Sequence, residues 1–143
     1  MAIIKIEVPS LAELLQNGVE VKVAPQGIKW SDQQFLEYAK EKGVYIIYHG
    51  GAVKYIGKTD GPSMYFAKRL RREFSESASQ NKHNYPKLRN LVTPPPIMVY
   101  FITSKEIRKL ITSQSVELSD ENRNAIFEQV LIQVYKPEFQ KTY

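Results

Sequence analysis

The chain has 143 residues, of which 43% are apolar and 24% charged, which suits one soluble domain with a hydrophobic core and leaves too little for two. It has no cysteine and two histidines, which excludes disulfides and thiolate zinc sites and argues against a histidine-rich zinc site. The net charge is +5, no apolar run reaches membrane-spanning length, and the first residues lack a secretory signal pattern, so we expect a cytoplasmic protein with no membrane partner.

Residues 1–42 are predicted to form an ordered extension that packs on a core domain of residues 43–143. In this extension we predict strands at residues 3–8 and 19–23 and helices at residues 10–18 and 31–42. Ser10 and Ser31 are suitable helix caps, and Gly18 is predicted to end the first helix. Packing against the core explains such a segment, and a role in the choice of substrate or partner is the alternative.

Residues 43–58 predict a β-hairpin, because β-branched and aromatic residues lie on both sides of Gly50-Gly51. A loop of only these two glycines would put Tyr45 and Tyr55 on opposite faces of the sheet. An odd loop, for example residues 50–52, or a bulge would put both tyrosines on one face. We predict this odd register, whose pairs in the example are His49 with Val53, Ile47 with Tyr55 and Tyr45 with Gly57.

The rest of the chain predicts helices and one buried strand. The helices lie at residues 65–74, 85–91, 103–110 and 119–136, the strand at 97–102, and polar connections at 75–84 and 112–119. Thr103 and Glu106 form a capping-box pattern, Ser119 or Asp120 caps the last helix, and Pro137 ends it. We therefore predict an α/β (α+β) fold in which a small antiparallel or mixed sheet, made of the hairpin and the strand 97–102, is flanked by helices.

Two short motifs on the hairpin are followed by an arginine and, near the end of the chain, by a glutamate with several spaced neighbours. The matching residues are Gly43-Val44-Tyr45, Tyr55-Ile56-Gly57-Lys58, Arg69, Glu128, Leu131-Ile132, Pro137 and Gln140. In order and spacing they resemble the GIY-YIG nuclease domain over about residues 43 to 140, through independent motifs that fall in sequence.

The resemblance implies an endonuclease that hydrolyses DNA phosphodiester bonds with Mg²⁺ or Mn²⁺. It implies that Glu128 is the single carboxylate ligand of the metal, whereas its position alone suggests a partly exposed glutamate that reaches solvent or an arginine. Arg69 would bind the phosphoryl oxygens, Tyr45 would act as the base and Tyr55 would position water or phosphate. A phenol has an unperturbed pKa of about 10, so a neighbouring cation must favour the phenolate, and Lys58 is the nearest candidate in the sequence.

All the excess positive charge lies in residues 54–90, which carry nine basic and three acidic side chains. A solvated basic face is one interpretation, and contact with a phosphate backbone is the other. The residues predicted to bind substrate are Gly57, Lys68, Arg71, Arg72 and Gln140. The alternative function is a non-catalytic nucleic-acid-binding module that keeps the fold and the basic face, and without the motifs the tyrosines would be interpreted as packing residues.

Overall fold

A computed structural model describes residues 1–21, 23–24, 27–28, 37–74, 87–88, 91 and 95–140, with residues 23–24, 27–28 and 72–74 described by their backbone. The strands are β1 (Ile3–Ile6), β2 (Gly18–Glu20), β3 (Val23–Ala24), β4 (Gly27–Ile28), β5 (Gly43–His49), β6 (Ala52–Lys58), β7 (Met98–Thr103) and β8 (Ile111–Gln114). The helices are α1 (Leu11–Leu14), α2 (Phe66–Phe74), α3 (Ser104–Leu110) and α4 (Asp120–Tyr135).

The centre of the fold is a four-stranded antiparallel sheet with the strand order β2-β7-β5-β6. Two smaller antiparallel sheets pair β1 with β8 and β3 with β4. The mixed α/β class is confirmed, and the predicted strand 97–102 forms as β7 beside the first strand of the hairpin. Strand β6 is left at one edge of the main sheet.

The main sheet is covered on both faces because residues of β5 alternate between two hydrophobic clusters. Tyr45 and Ile47 belong to the cluster that contains Phe66 and Leu70 of α2. Val44, Ile46 and Ile56 belong to the other cluster, whose helical members include Ile107 of α3 and Phe127 and Leu131 of α4. Helices α2 and α4 therefore approach the sheet from opposite sides.

The predicted extension is joined to the core by backbone ladders, since β2 pairs with β7 and β1 with β8. Ser10 caps α1 through a complete capping box with Glu13, as its residue type predicts. The helix stops after Leu14, however, and Gly18 begins β2 instead of ending the helix. A Cβ atom at this position would lie 2.8 Å from Cδ1 of the Tyr100 ring on β7, and glycine avoids this contact.

Three further predictions differ from the structure. The predicted strand 19–23 is divided into β2 and β3. The described part of the predicted helix 31–42 is residues 37–42, of which 37–40 form a turn and none is helical. The predicted connection 112–119 contains β8, which forms because β1 supplies a partner from the other end of the chain. The predicted loop 75–84 and most of the predicted helix 85–91 lie outside the described residues.

The caps of the later helices follow the sequence pattern. Thr103 forms the predicted capping box with Glu106, and Ser119, one of the two candidates, accepts a hydrogen bond from the amide of Asn122. Helix α4 ends with Lys136 in the left-handed conformation, directly before Pro137.

Candidate functional site

The turn of the hairpin sets which side chains share a face. Gly50 and Gly51 form a two-residue turn with φ of 61° and 80°, values that suit glycine and match the twist of the flanking strands. His49 therefore lies opposite Ala52, so the three-residue loop given as an example, with its pairing of His49 and Val53, does not form.

The predicted parity is nevertheless correct, because a bulge replaces the longer loop. The register shifts between Ile47 and Tyr48, which leaves Lys54 as the extra residue of β6. Tyr45 consequently lies opposite Gly57, and Ile47 opposite Tyr55, as the odd register predicts. Both phenols project from the same face of the sheet.

Tyr45 and Tyr55 lie side by side on that face, with ring centroids 6.2 Å apart. Tyr45 is completely buried, whereas Tyr55 is half-buried. A Cβ atom on Gly57 would lie 2.8 Å from Cε1 of Tyr45 and closer still to its Cζ and hydroxyl oxygen. Gly57 has no side chain, and the phenol ring of Tyr45 on β5 therefore packs directly over the backbone of Gly57 on β6.

Helix α2 brings Arg69 to the two phenols. The helix is anchored at its start, where the amides of Phe66 and Ala67 donate to the carbonyls of Glu41 and Ala39 at 3.0 and 3.1 Å. Nη2 of Arg69 donates to the hydroxyl of Tyr55 at 3.3 Å, and its guanidinium carbon lies 5.7 Å from the centroid of the Tyr45 ring. The structure thus brings together three of the predicted catalytic residues.

Lys58 lies on the other face of β6 from these phenols, because it shares the parity of Ile56 and not that of Tyr55. Its ammonium group forms an ion pair with Asp60. Arg69, and not Lys58, is therefore the cation that contacts the phenols. The prediction that Lys58 is their neighbouring cation is wrong, because side chains alternate between the two faces of β6.

Glu128 lies on α4, next to the residues that pack against the opposite face of the hairpin. Its side chain is half-buried and accepts a hydrogen bond from Nε2 of Gln129 at 3.3 Å. Burial raises the pKa of Glu128 above its usual range and Asp60 adds to this, while Lys58, the Gln129 hydrogen bond and Arg69 oppose it. Lys58 lies on the face of β6 that α4 covers and Arg69 approaches the other face, and both act electrostatically on the Glu128 carboxylate.

The half-buried carboxylate of Glu128 is of the ligand type that Mg²⁺ and Mn²⁺ prefer. Within the residues that the structure describes, no group of three or more acidic or histidine side chains gathers. Two carboxylates, Glu128 and Asp60, act on one another electrostatically, and Asp60 is paired with Lys58. Mg²⁺ is often bound through one or two carboxylates together with waters and phosphate oxygens. A dication would also offset the desolvation that raises the pKa of Glu128.

The residues predicted to bind substrate have different surroundings. Lys68 is exposed on α2 and donates to the Ser63 carbonyl at 3.3 Å, and its ammonium lies 5.6 Å from the centroid of the Tyr65 ring. Lys42 approaches the same ring at 5.8 Å. Arg71 is exposed on the same helix, and the side chain of Arg72 lies outside the described set.

Gln140 is bound to the edge strand through both functions of its amide. Its Oε1 accepts from the Ile56 amide at 3.0 Å, and its Nε2 donates to the Ile56 carbonyl at 2.9 Å. The Phe139 amide also donates to the Lys54 carbonyl at 2.8 Å. The segment after α4 thus pairs with the open side of β6, and substrate binding by Gln140 stays a prediction that would require it to leave these partners.

The sequence analysis did not single out Asp60 as a site residue. Asp60 pairs with Lys58 and acts electrostatically on Glu128, so it belongs to the charge balance of the site. An acidic residue two positions after Lys58 was the signal in the sequence that could have revealed it.

A separate cavity of about 340 Å³ lies elsewhere, between α1, β7 and α3, and is lined by Leu14, Phe101 and Glu106 among others.

Comparisons of the chain with protein-family models, with curated proteins and with solved structures find no match. Across the described ranges, no helix is both long and apolar enough to cross a membrane. A functional assignment therefore depends on the residues gathered at the β6 edge.

Proposed function

We propose that this protein is a divalent-metal-dependent endonuclease that hydrolyses DNA phosphodiester bonds with a site of the GIY-YIG type. The observation that carries the proposal is the hydrogen-bonded pair of Tyr55 and Arg69, whose guanidinium acts electrostatically on the half-buried carboxylate of Glu128. These side chains come from a hairpin and from two helices on opposite faces of the sheet. We expect the enzyme to act in the cytoplasm.

Arg69 stabilises the negative charge that accumulates on the phosphorus-bound oxygens during hydrolysis. A guanidinium is a planar donor that suits phosphate, and its hydrogen bond to Tyr55 fixes its orientation. The half-buried phenol of Tyr55 is the one that can contact and orient the attacking water. Tyr45 is enclosed, so its complete burial favours a positioning role beneath Arg69 over the role of base that the sequence predicts.

Glu128 would hold a Mg²⁺ or Mn²⁺ ion, which when bound polarises the phosphodiester and assists the departing oxygen. The fit rests on charge balance. Glu128 and Asp60 face Lys58 and Arg69, so the local charge is close to neutral before a substrate phosphate enters and negative afterwards. A dication more than offsets the single negative charge of the bound phosphodiester, and it balances the second negative charge that develops in the transition state.

The outward side of α2 supplies contacts to the DNA backbone. Lys68 and Arg71 are exposed there. The ammonium groups of Lys42 and Lys68 lie over the ring of Tyr65, so this surface combines positive charge with an aromatic side chain. Such contacts position a duplex without selecting a sequence.

A nicking assay on supercoiled plasmid DNA, with Mg²⁺, Mn²⁺ or EDTA, tests the proposal. We expect metal-dependent nicking that falls by roughly 100-fold or more in Glu128→Gln and in Arg69→Ala, because each removes charge stabilisation in the transition state. Glu121→Gln is the matched control, since Glu121 is exposed on the same helix. If the wild-type protein nicks no DNA with any divalent metal, the proposed nuclease activity is refuted.

The same assay distinguishes the roles of Tyr45 and Tyr55. Tyr55→Phe removes the hydroxyl that Arg69 binds, and we expect it to reduce the nicking rate by roughly 10- to 100-fold. Tyr45→Phe keeps the buried ring, and we expect a smaller effect. The reverse order would return the role of base to Tyr45.

The second candidate is a nucleic-acid-binding module without catalysis. The enclosure of Tyr45 and the use of both amide functions of Gln140 on the strand backbone favour it. Glu73 adds a reason from the sequence, because many GIY-YIG nucleases carry a histidine at the corresponding helix position. DNA binding that survives Glu128→Ala and Arg69→Ala, with no nicking by any form of the protein, would support the module.

A further inference from the structure

Strand β1 is an exposed apolar edge. Ile3, Ile4 and Ile6 of this strand and Val8 just after it are 39–49% exposed. β1 is hydrogen-bonded to β8 in a two-stranded sheet, and none of the other described strands pairs with its second side. Edge strands that combine open backbone groups with apolar side chains are templates for pairing with another chain.

The ladder with β8 tells which residues present backbone groups to the open side. The Glu7 amide donates to the Leu110 carbonyl at 2.8 Å, in the same register that pairs Ile3 with Gln114. Odd-numbered residues of this segment therefore bond towards β8, and Ile4, Ile6 and Val8 direct their amides and carbonyls away from it. Pro9 has no amide hydrogen, but as an odd-numbered residue it would direct that group towards β8, so the open side loses no hydrogen-bond donor.

We propose that β1 pairs antiparallel with β1 of a second copy of this chain, on a two-fold axis through Ile6. Residues that bond across the open edge must face one another, which allows an axis through residue 5, 6 or 7. An axis through residue 5 sets Lys5 against its own copy, and one through residue 7 does the same for Glu7. Only the axis through Ile6 sets each Lys5 opposite a Glu7, and charge complementarity selects it.

This arrangement also covers apolar surface. Ile4 faces the second copy's Val8, and the two Ile6 side chains meet at the axis, so a continuous four-stranded sheet β8-β1-β1-β8 forms across the two copies. A pairing of about five residues buries less area than a permanent interface needs. The dimer therefore exchanges with monomer and its population depends on concentration.

Sedimentation equilibrium of the full chain between about 5 µM and 1 mM tests the proposal, and we expect the dimer fraction to rise across this range. Lys5→Glu and Glu7→Lys should each weaken dimerisation at least about 5-fold, because each creates two like-charge pairs at the axis. The double variant Lys5→Glu/Glu7→Lys should restore dimerisation to within about 2-fold of wild type. Lys105→Glu, an exposed charge reversal on α3, should change nothing.

Two measurements keep the outcome clear. Thermal unfolding of each variant should match wild type, since Lys5 and Glu7 are exposed, and amide hydrogen exchange at Ile4 and Ile6 should slow as concentration rises. A wild-type chain that is monomeric at about 1 mM overturns the proposal. A dimer that ignores the single charge reversals, or that the double variant does not restore, overturns it equally, because another surface or another register would then be responsible.

Discussion

Gly57→Ala tests the contact on which the position of Tyr45 depends. The added methyl carbon would lie 2.8 Å from Cε1 of Tyr45 and nearer to its hydroxyl oxygen, closer than non-bonded carbon and oxygen atoms approach. Tyr45 cannot simply turn away, because Phe66 and Tyr55 hold its ring at centroid distances of 6.4 and 6.2 Å. Either the ring or strand β6 has to shift.

Overpacking of this kind costs about 1–3 kcal/mol, and we expect a value near 3 kcal/mol because the ring is completely buried. Urea unfolding measures it. With a denaturant slope of roughly 1–3 kcal/mol per molar, the midpoint should fall by about 1 M or more without a change in slope.

The double variant Tyr45→Phe/Gly57→Ala identifies the atom responsible. The hydroxyl oxygen and the carbon that carries it are the nearest atoms to the added methyl group, so removing the hydroxyl should recover at least about 0.5 kcal/mol relative to the sum of the single effects. A Gly57→Ala protein within about 0.5 kcal/mol of wild type would refute the close packing. Additive single effects would show that the phenolic hydroxyl is not the obstacle.

Three further predictions concern charges and caps. Because the folded-state pKa of Glu128 is raised, its ionisation costs stability as pH rises above the ordinary value of about 4.5, so Glu128→Gln should unfold at higher urea than wild type at pH 7 and lose this advantage near pH 4. The pKa of Asp120 shifts the other way, since its bidentate hydrogen bonds to Arg108 at 2.8 and 2.6 Å lower it. Asp120→Asn should therefore lower the urea midpoint at pH 7, and the difference should shrink as pH falls below the ordinary pKa of about 3.8 and the carboxylate becomes protonated. Thr103→Ala removes the cap that accepts from the Glu106 amide and should cost about 1 kcal/mol of unfolding free energy by thermal or urea denaturation.

The hairpin shows how far the sequence determines the site. The spacing of Tyr45 and Tyr55 around two glycines requires one extra residue if the phenols are to share a face, and this parity is confirmed. A bulge at Lys54 and a three-residue loop satisfy it equally, so the sequence pattern alone could not choose between them. The left-handed conformation of Gly50 and Gly51 decides it, because two such residues complete a tight turn by themselves.

Features that depend on distant partners were not predictable in the same way. Residues 112–114 have the composition of a polar connection and become part of a strand only because β1 lies beside them. The enclosure of Tyr45 arises from Phe66 and Leu70 of a helix that follows the hairpin, a relation that strand alternation does not express. Lys58 was assigned to the phenols by closeness in sequence, although alternation along β6 already placed it on the other face.

The position of the candidate site at an edge strand has a physical reason. Arg69 and Glu128 belong to helices on opposite faces of the sheet, and across a central strand their charges would be separated by the hydrophobic core. At β6 the sheet ends, so side chains from both faces can act on one another while they remain partly solvated. An open edge also invites pairing with other chains, and here Phe139 bonds to its backbone at the bulge residue Lys54 and Gln140 bonds to it at Ile56. The chain thus protects this edge while Tyr55, Arg69 and Glu128 stay half-buried, which leaves these three side chains accessible to the phosphodiester substrate that we propose.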